Sequence, residues 1–294
     1  MEDMNKGTIT SLKYDQMHED ATGKPLFIGE DFSMIHGSNI LGHADISLGA
    51  PYKCDDCRLF IVTGGEMDIT VNLLDYHFHP GTVGYFGRGC NIQVNSVTDD
   101  FALDVILFKD GYLVDSSLYK SYFGKDTGMI MSVGENEGKI VRMLFQTVWD
   151  IVRNSIYNKD VIVALTSGIM HYYDVIRHHQ LDHEKKNSSR REDLLKEFVI
   201  LVNAHSGRER QLAFYADKMC ITEKYLCLVV KSTSGKTPRE WIDRAAVTNA
   251  KVLLKHTDMQ ISQISDRMIF PRSSAFCKYF KRKTGLTPQE YRDQ

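Results

Sequence analysis

The sequence predicts an α+β protein of two domains, in which short β-strands and two helices precede an all-α half. Short runs rich in Val, Ile, Leu and Phe, separated by Gly and Asp, fill the first third of the chain. After Gly134 these runs give way to apolar residues at helical spacing. The chain has 294 residues, which is enough for two domains that each bury a core.

The strands are predicted between about residues 28 and 108. RLFIVTGG, MDITVNLL and FALDVILF are each interpreted as one strand. TGGE at residues 63–66 predicts a hairpin turn between the first two, and HPGTVGYFG at residues 79–87 predicts a turn followed by a strand. Several short strands with close turns indicate a sandwich or a small barrel.

Two helices are predicted next. KIVRMLFQTVWDIVRNSIY, with Ile140 and Met143 in its apolar pattern, and VIVALTSGIMHYYDVIRHH both show helical spacing. Such helices could pack on the β domain or pair with a second copy of the chain. HEKKNSSR has no apolar residue and predicts a linker. The predicted organisation is 1–134 (β effector or sensor domain), 135–183 (helical dimerisation segment), 184–191 (linker) and 192–294 (all-α domain).

Charge divides the chain in the same way. Residues 187–294 hold 20 Lys and Arg against 12 Asp and Glu, a net charge of +8, while the whole chain has −2 and residues 1–186 therefore carry −10. A compact domain at +8 suits a polyanion, because neutralised phosphates release their counterions. Charge alone leaves a merely basic surface as the alternative.

The C-terminal half contains an internal duplication. The segments from Ala216 to Gly235 and from Ile264 to Gly285 each predict a short helix, a tight turn, a second helix and a Gly stop, followed by Thr-Pro. This is the pattern of two helix-turn-helix units, a motif that places its second helix in a DNA major groove. The connecting helix PREWIDRAAVTNAKVLLKH would span roughly 28 Å. That approaches the ~34 Å between successive major-groove faces of B-DNA, so one chain could contact two adjacent grooves.

The second helix of the last unit combines two patterns. Phe276, Tyr279 and Phe280 fall on one face at i, i+3 and i+4, where they should pack beneath the helix. Short polar residues and cations lie on the opposite face. The aromatic residues therefore anchor the helix while the cations point outward.

Residues 192–294 resemble the DNA-binding domain of the AraC/XylS family of bacterial transcription regulators. The family's C-terminal signature stands here as Ile269-Phe270, SSAFCKYFKRKTG, Leu286-Thr287-Pro288 and Tyr291-Arg292. The preceding 186 residues resemble the family's effector or dimerisation half, a cupin-like small β-barrel followed by helices. The implied fold class is a cupin-like barrel with two helices joined to an all-α tandem helix-turn-helix.

The resemblance implies a cytoplasmic transcription regulator, not an enzyme, that binds double-stranded DNA as a homodimer and needs no cofactor. It also implies control by a small-molecule effector in the N-terminal half; a constitutive DNA binder whose N-terminal half only dimerises is an alternative. Activation is the implied mode, although the residues themselves do not distinguish activation from repression.

The resemblance further assigns roles to individual residues. The implied base-reading positions are Lys224, Cys227 and Leu228 on the first recognition helix and Ser273, Ser274, Cys277 and Lys278 on the second. The implied phosphate contacts, which position the protein without specifying sequence, are Lys231, Arg272, Lys281, Arg282 and Lys283.

Two positions depart from the family pattern. Leu228 stands where the family often has Arg, so the first helix should read DNA less directly, or through an apolar contact to a thymine methyl group. Ile269 replaces the turn Gly, and a β-branched residue is costly at positive φ. Either the turn adopts another conformation or the second unit is strained.

Two other features of the sequence are candidates for an enzyme or metal site. His77 and His79 share a strand face and could form the histidine pair of a metal-dependent cupin enzyme, but Pro80-Gly81 follows at once and a surface pair is the simpler interpretation. Cys54 and Cys57 form a single C-x-x-C, which lacks the further ligands of a zinc site and is interpreted as two thiols on a loop, with a redox switch as the remaining alternative. No metal ligand or catalytic residue is therefore predicted. A metal-dependent cupin enzyme with an appended DNA-binding module remains the alternative function.

The expected compartment rests on three further observations. MEDMNKGTITSLKYD is polar and lacks the apolar segment of a signal peptide. The apolar runs are too short to span a bilayer. Six scattered cysteines favour thiols in a reducing cytoplasm over a disulfide framework.

Overall fold

The computed structural model describes residues 26–38, 47–109, 112, 128–154, 158–184, 190–205 and 207–294, without the side chains of 181–184. The described strands are β1 Leu26–Ile28, β2 Phe32–Ser38, β3 Tyr52–Lys53, β4 Cys57–Gly64, β5 Met67–Val71, β6 Leu74–Phe78, β7 Thr82–Phe86, β8 Asn91–Val97, β9 Ala102–Phe108 and β10 Met129–Ser132. The stretch interpreted as lacking a signal peptide lies outside the described residues, as does most of the predicted linker.

The described strands form two antiparallel sheets. One has the order β1-β2-β9-β4-β7-β10 and the other the order β3-β8-β5-β6. β4 is buried on both faces, because Phe60 and Val62 pack against the second sheet while Leu59 and Ile61 face the helices. That double burial explains why RLFIV is an uninterrupted apolar run rather than an alternating one.

Two details of the predicted strands are wrong. TGGE does not close a hairpin, since β4 pairs with β7 and β9 while β5 pairs with β6 and β8. The turn carries the chain from one sheet to the other, and a Cβ on Gly65 would lie 2.5 Å from the backbone of Phe101. MDITVNLL is not one strand either, because Asn72 and Leu73 both take positive φ and turn β5 into β6.

Two helices cover the outer face of the six-stranded sheet. They are α1 Glu135–Val152 and α2 Lys159–Glu184. Val141, Phe145 and Tyr173 join the core that the helices share with this sheet. Ile140 and Met143, which the sequence placed on the apolar stripe, are instead exposed, because the stripe that meets the sheet is centred on Val141 and Phe145.

The C-terminal half is helical throughout its described residues. Its helices are α3 Arg190–His205, α4 Leu212–Lys218, α5 Glu223–Ser234, α6 Pro238–His256, α7 Ile261–Arg267, α8 Ser273–Thr284 and α9 Pro288–Asp293. Local signals set their ends: Thr222 caps α5 through its hydroxyl, Gly235 ends it at φ +72°, and Thr237 opens α6 with a capping box. α4 and α5 belong to what we call the first unit, and α7 and α8 to the second unit.

The two units share α6 but have separate cores. Trp241, Ile242 and Ala245 at the start of α6 pack into the first unit. Ala250 and Leu254 near its end pack into the second unit. The connecting helix is therefore part of both units. The α+β, two-domain fold class predicted from the sequence is confirmed.

No helix among the described residues is both long and apolar enough to cross a membrane.

Candidate nucleic-acid interface

The two units repeat each other's backbone. In the first, the Met219 N–H donates to the Tyr215 carbonyl at 3.0 Å; in the second, the Met268 N–H donates to the Ile264 carbonyl at 2.9 Å. The first and second units are offset by 49 positions up to the turn and by 50 after it, as Gly235 and Gly285 show. The second turn is thus one residue longer.

The structure shows which of the two alternatives for Ile269 holds, a changed turn conformation or a strained one. Its φ is +53°, the same value as at Cys220 in the first unit. The turn has therefore kept the left-handed conformation that a glycine would favour, and the β-branched residue occupies it at a cost of roughly 1–2 kcal/mol. Ile269 is 60% exposed, so side-chain burial does little to offset that strain.

The first candidate recognition helix, α5, exposes one face to solvent. Leu226, Val229 and Val230 are buried beneath it. The exposed side chains on the other side are Glu223, Lys224, Tyr225, Cys227, Leu228, Lys231 and Ser232. All four residues to which the resemblance gave a role on this helix are on that surface, and Tyr225, which sequence reasoning did not select, lies beside them.

The second candidate recognition helix, α8, stands on aromatic side chains. Phe276 and Phe280 are fully buried and Tyr279 nearly so. Ser274, Lys278, Lys281 and Arg282 are exposed, whereas Ser273 and Cys277 are half-buried and offer less surface. Arg272 is exposed at the N-cap of α8.

One predicted phosphate contact is engaged within the chain. Lys283 Nζ lies 2.7 Å from Oδ2 of Asp243, a nearly buried carboxylate on α6. The Tyr279 hydroxyl donates to Oδ1 of the same carboxylate at 2.8 Å. Burial and the adjacent Asp243 raise the pKa of Tyr279, which keeps its proton on the hydroxyl. Asp243 therefore ties α8 to α6, and Lys283 is less available to DNA than Lys281 or Arg282.

A hairpin of the N-terminal half contacts the first unit. Leu73, at the β5–β6 turn, is 3% exposed and belongs to the core that contains Phe198 and Trp241. The Asn203 side chain donates to the Asn72 carbonyl at 2.6 Å. Sequence reasoning missed this contact, because a leucine in a strand-like run carries no sign of its partner.

Arg244 on α6 holds the same hairpin. Its guanidinium donates to the Leu73 carbonyl at 2.8 Å and to Asp75 Oδ1 at 2.6 Å. A cavity of about 340 Å³ lies next to this contact, between the second sheet and α6, and residues lining it include Thr70, Gln93, Lys251 and Lys283.

The histidine pair lies on the exposed end of the second sheet. His77 Nδ1 is 2.9 Å from Asp68 Oδ1, and a hydrogen bond from His77 to this carboxylate raises the histidine's pKa. His79 Nε2 is 3.1 Å from the Ser132 hydroxyl. Within the part of the chain that the structure describes, no group of three or more His, Cys, Asp or Glu is arranged to hold a metal ion.

The C-x-x-C thiols are not on a surface loop. Cys54 and Cys57 are both fully buried, one in the core between the sheets and the other in the core under the helices. Burial raises the pKa of the Cys54 thiol well above its ordinary value. A thiol without solvent access reacts slowly, so both residues behave as small apolar groups.

Comparison with known proteins gives matches that concentrate on the C-terminal half. A family profile described as a helix-turn-helix domain matches residues 215–294. The regulatory protein PocR of Salmonella typhimurium is 29% identical over 100 residues, which cover 34% of this chain and 33% of PocR. The transcriptional activator RhaR of Shigella dysenteriae is 25% identical over 248 residues, which cover 83% of this chain and 86% of RhaR. The crystal structure of ToxT from Vibrio cholerae covers 90% of this chain and 98% of its own, at 16% identity and a TM-score of 0.39.

The matched segment spans only about a third of PocR. The resemblance to AraC/XylS regulators drawn from the sequence is confirmed for the helix-turn-helix domain.

Proposed function

We propose, from the premise that the C-terminal domain is an AraC/XylS-type helix-turn-helix domain, that this protein is a sequence-specific DNA-binding transcription regulator. The observation that carries the proposal is the pair of matched units on one continuous helix, each presenting an exposed helix face that carries lysine side chains. α6 has 19 residues and spans roughly 28 Å, which suits contact with two adjacent major grooves. The net charge of +8 on residues 187–294 supplies the attraction to phosphate.

The exposed side chains indicate which kind of contact to DNA bases each of the two recognition helices would make. Lys278 on α8 can donate to the acceptor atoms of guanine in the major groove, while Leu228 on α5 can contact only apolar groups such as a thymine methyl. Ser274 adds a short hydroxyl next to Lys278. We therefore assign most hydrogen-bonded sequence readout to the second unit.

Phosphate contacts follow from the cations around these faces. Lys231, Arg272, Lys281 and Arg282 are all exposed beside the proposed reading surfaces. Arg282 lies 5.9 Å from the ring centroid of Tyr279, which restricts where its guanidinium can reach. These four residues would fix the register of the protein on the duplex without specifying bases.

The test uses the full chain, because the first unit contains Leu73 from the N-terminal half. Genomic fragments retained by the purified protein would be sequenced, and the affinity for the recovered site measured against salt. We expect a steep decrease with increasing salt. The absence of any retained duplex at low salt would refute the proposal.

Two variants separate base readout from positioning. Lys278→Ala should cost about 1–3 kcal/mol at the recovered site and relax the preference for one base pair. Arg282→Ala should weaken binding to all sequences alike and reduce the slope of log K against log salt by about 1. A Lys278→Ala protein with unchanged sequence preference would remove the assigned role.

The helices α1 and α2 are our proposed dimerisation surface, corresponding to the predicted segment 135–183. Ile140, Met143, Val161 and Val175 are exposed apolar side chains on these two helices. A second copy of the chain would cover them. The mass in solution, measured by light scattering for the wild type and for Met143→Asp, tests this: a wild-type monomer would contradict the proposal.

Control by a small molecule is proposed for the N-terminal half, with activation as its direction, since RhaR is named a transcriptional activator. The hairpin contact supplies a physical route from a ligand to the DNA-binding helices, because a shift of the second sheet moves Leu73 within the first unit's core. Like other DNA-binding regulators, the protein would act where the chromosome is, in the bacterial cytoplasm.

A further inference from the structure

A single arginine joins the loop before the first unit to the turn of the second unit. Arg210 precedes α4, yet its guanidinium donates to the carbonyl of Met268, the C-cap of α7. The same group lies 3.7 Å from the ring centroid of Phe270, in the turn that leads into α8. These contacts connect residues 58 or more positions apart along the chain.

The base of this arginine is held firmly to the first unit and to α6. Glu209 Oε1 accepts hydrogen bonds at 2.9 Å from the N–H groups of both Arg210 and Gln211. The carbonyl of Glu209 accepts at 3.0 Å from the hydroxyl of Tyr215, which is fully buried in the first unit. Arg239 on α6 donates to the Arg210 carbonyl at 3.1 Å. The backbone of Arg210 is thus held in place by these hydrogen bonds, which restricts the positions that its guanidinium can take.

The other end of the contact acts directly on the second recognition helix. Phe270 packs edge-on against Phe276 with ring centroids 5.3 Å apart, and lies 5.2 Å from Tyr279. Both rings belong to α8 and form its buried face. Holding Phe270 and the Met268 carbonyl therefore fixes the turn from which α8 starts.

The packing of both units on α6, together with the Asp243 contacts to Tyr279 and Lys283, attaches α8 along the axis of α6 only. A continuous helix sets the distance between the units, but it can bend or twist so that the two recognition helices change their relative rotation. An arginine that stacks on an aromatic ring and donates to a carbonyl adds a directional contact away from the α6 axis. Two separate attachments define an orientation that one does not.

We propose that Arg210 is a positioning residue that fixes the orientation of α8 relative to α5, and with it the spacing between the two DNA half-contacts. This rests on the proposed DNA-binding function. Arg210 itself need not touch DNA. With Arg210 in place, the two units would bind DNA sites with one spacing between the half-contacts rather than sites with a range of spacings.

The experiment measures the affinity of the full chain for the recovered genomic site and for versions with one or five base pairs inserted between the half-contacts. Five base pairs rotate the second groove by about half a helical turn. Wild type should lose at least about 100-fold in affinity on the longer insertion. Arg210→Ala should bind the intact site roughly tenfold more weakly, equivalent to ~1.4 kcal/mol, and should tolerate the one-base-pair insertion better than wild type.

The matched control is Arg208→Ala, which removes an exposed arginine from the same loop. It should keep the spacing preference of the wild type, so that a general loss of positive charge is separated from a loss of orientation. Arg210→Gln, a milder change that keeps a side-chain donor, serves if the alanine variant does not fold. Phe270→Leu removes the ring from the other side of the contact and should mimic Arg210→Ala.

Failure of the proposed function and failure of the positioning role give different results. If the wild type retains no DNA, the proposed function itself fails. If the wild type binds and folded Arg210→Ala shows the wild-type ratio of affinities for the intact and inserted sites, the positioning role is refuted while DNA binding stands. That second result includes an equal loss of affinity at every spacing, which would make Arg210 an ordinary phosphate contact.

Discussion

The two helix-turn-helix units share one backbone pattern but are stabilised from different sources. The first unit takes Leu73 from the N-terminal half into its core. The core cluster of the second unit comes wholly from the C-terminal domain, and its helix α8 rests on Phe276, Tyr279 and Phe280. A duplicated motif can therefore keep its geometry while the core of one copy includes a residue of another domain and the core of the other does not.

The turns of the two helix-turn-helix units also differ in what stabilises them. Cys220 and Ile269 occupy the equivalent left-handed position, but only Ile269 is β-branched, and the arm of Arg210 reaches the residues on either side of it. The second unit therefore tolerates a strained turn that is held from outside by the loop before the first unit. The strained residue Ile269 thus lies between the two residues that Arg210 contacts.

The largest expected effect contrasts the two buried faces. Phe276→Ala should destabilise the second unit by about 3–5 kcal/mol, because the ring is fully buried against Phe270 and Phe280. Leu226→Ala, the equivalent position in the first unit, should cost about 2–4 kcal/mol. Urea denaturation of both variants measures the difference; a larger loss for Leu226→Ala would show that the aromatic layer is not the main support of the second unit.

The next effect tests the dependence of the first unit on the hairpin. Leu73→Ala should cost about 2–3 kcal/mol, since it empties a site in the core beside Trp241. Hydrogen exchange should then accelerate in α3 and in the first half of α6 more than in α8. Leu48→Ala, which changes a leucine that is 56% exposed in the same half of the chain, is the control and should alter neither unit. Equal acceleration in both units would contradict the asymmetry.

A smaller and opposite effect is expected at the turn. Ile269→Gly should stabilise the protein by about 1 kcal/mol, because glycine adopts φ +53° without the steric cost. Cys220→Gly should stabilise it less, since cysteine is not β-branched. The midpoint of thermal unfolding reports both. A decrease for Ile269→Gly would mean that its exposed side chain contributes more than its backbone costs.

The smallest effect concerns pH and the hairpin. Partial burial raises the pKa of Asp75, but hydrogen bonds from Arg244 and Thr70 lower it by more, so the pKa lies below its ordinary value. The carboxylate therefore stabilises the contact above the pKa of the unfolded chain, and this stabilisation is lost as pH falls through the depressed pKa of the folded state. Acid should loosen the first unit before the second in hydrogen exchange, and Asp75→Asn should abolish that difference between the units.

The sequence anticipated the C-terminal half closely because the relevant signals are local. Thr222, Gly235, Thr237 and Pro238 act within one helical turn of where they stand, so the helix ends could be predicted without knowing the fold. The burial of Phe276 and its neighbours followed from spacing on one helix. The roles of Lys224 and Lys278 at DNA are still predictions, although the structure exposes both side chains.

Long-range partners left no such signal. The sequence by itself determined the two-domain division, the charge asymmetry and the repeated helix-turn-helix, because each is a property of residues close together in the chain. Only the tertiary structure decided that β4 and β5 belong to different sheets, that Cys54 and Cys57 are buried, that Leu73 enters the first unit and that Arg210 reaches the second. Each of these depends on groups far apart in sequence, and a side chain's partner is decided by packing that its neighbours in the chain do not encode.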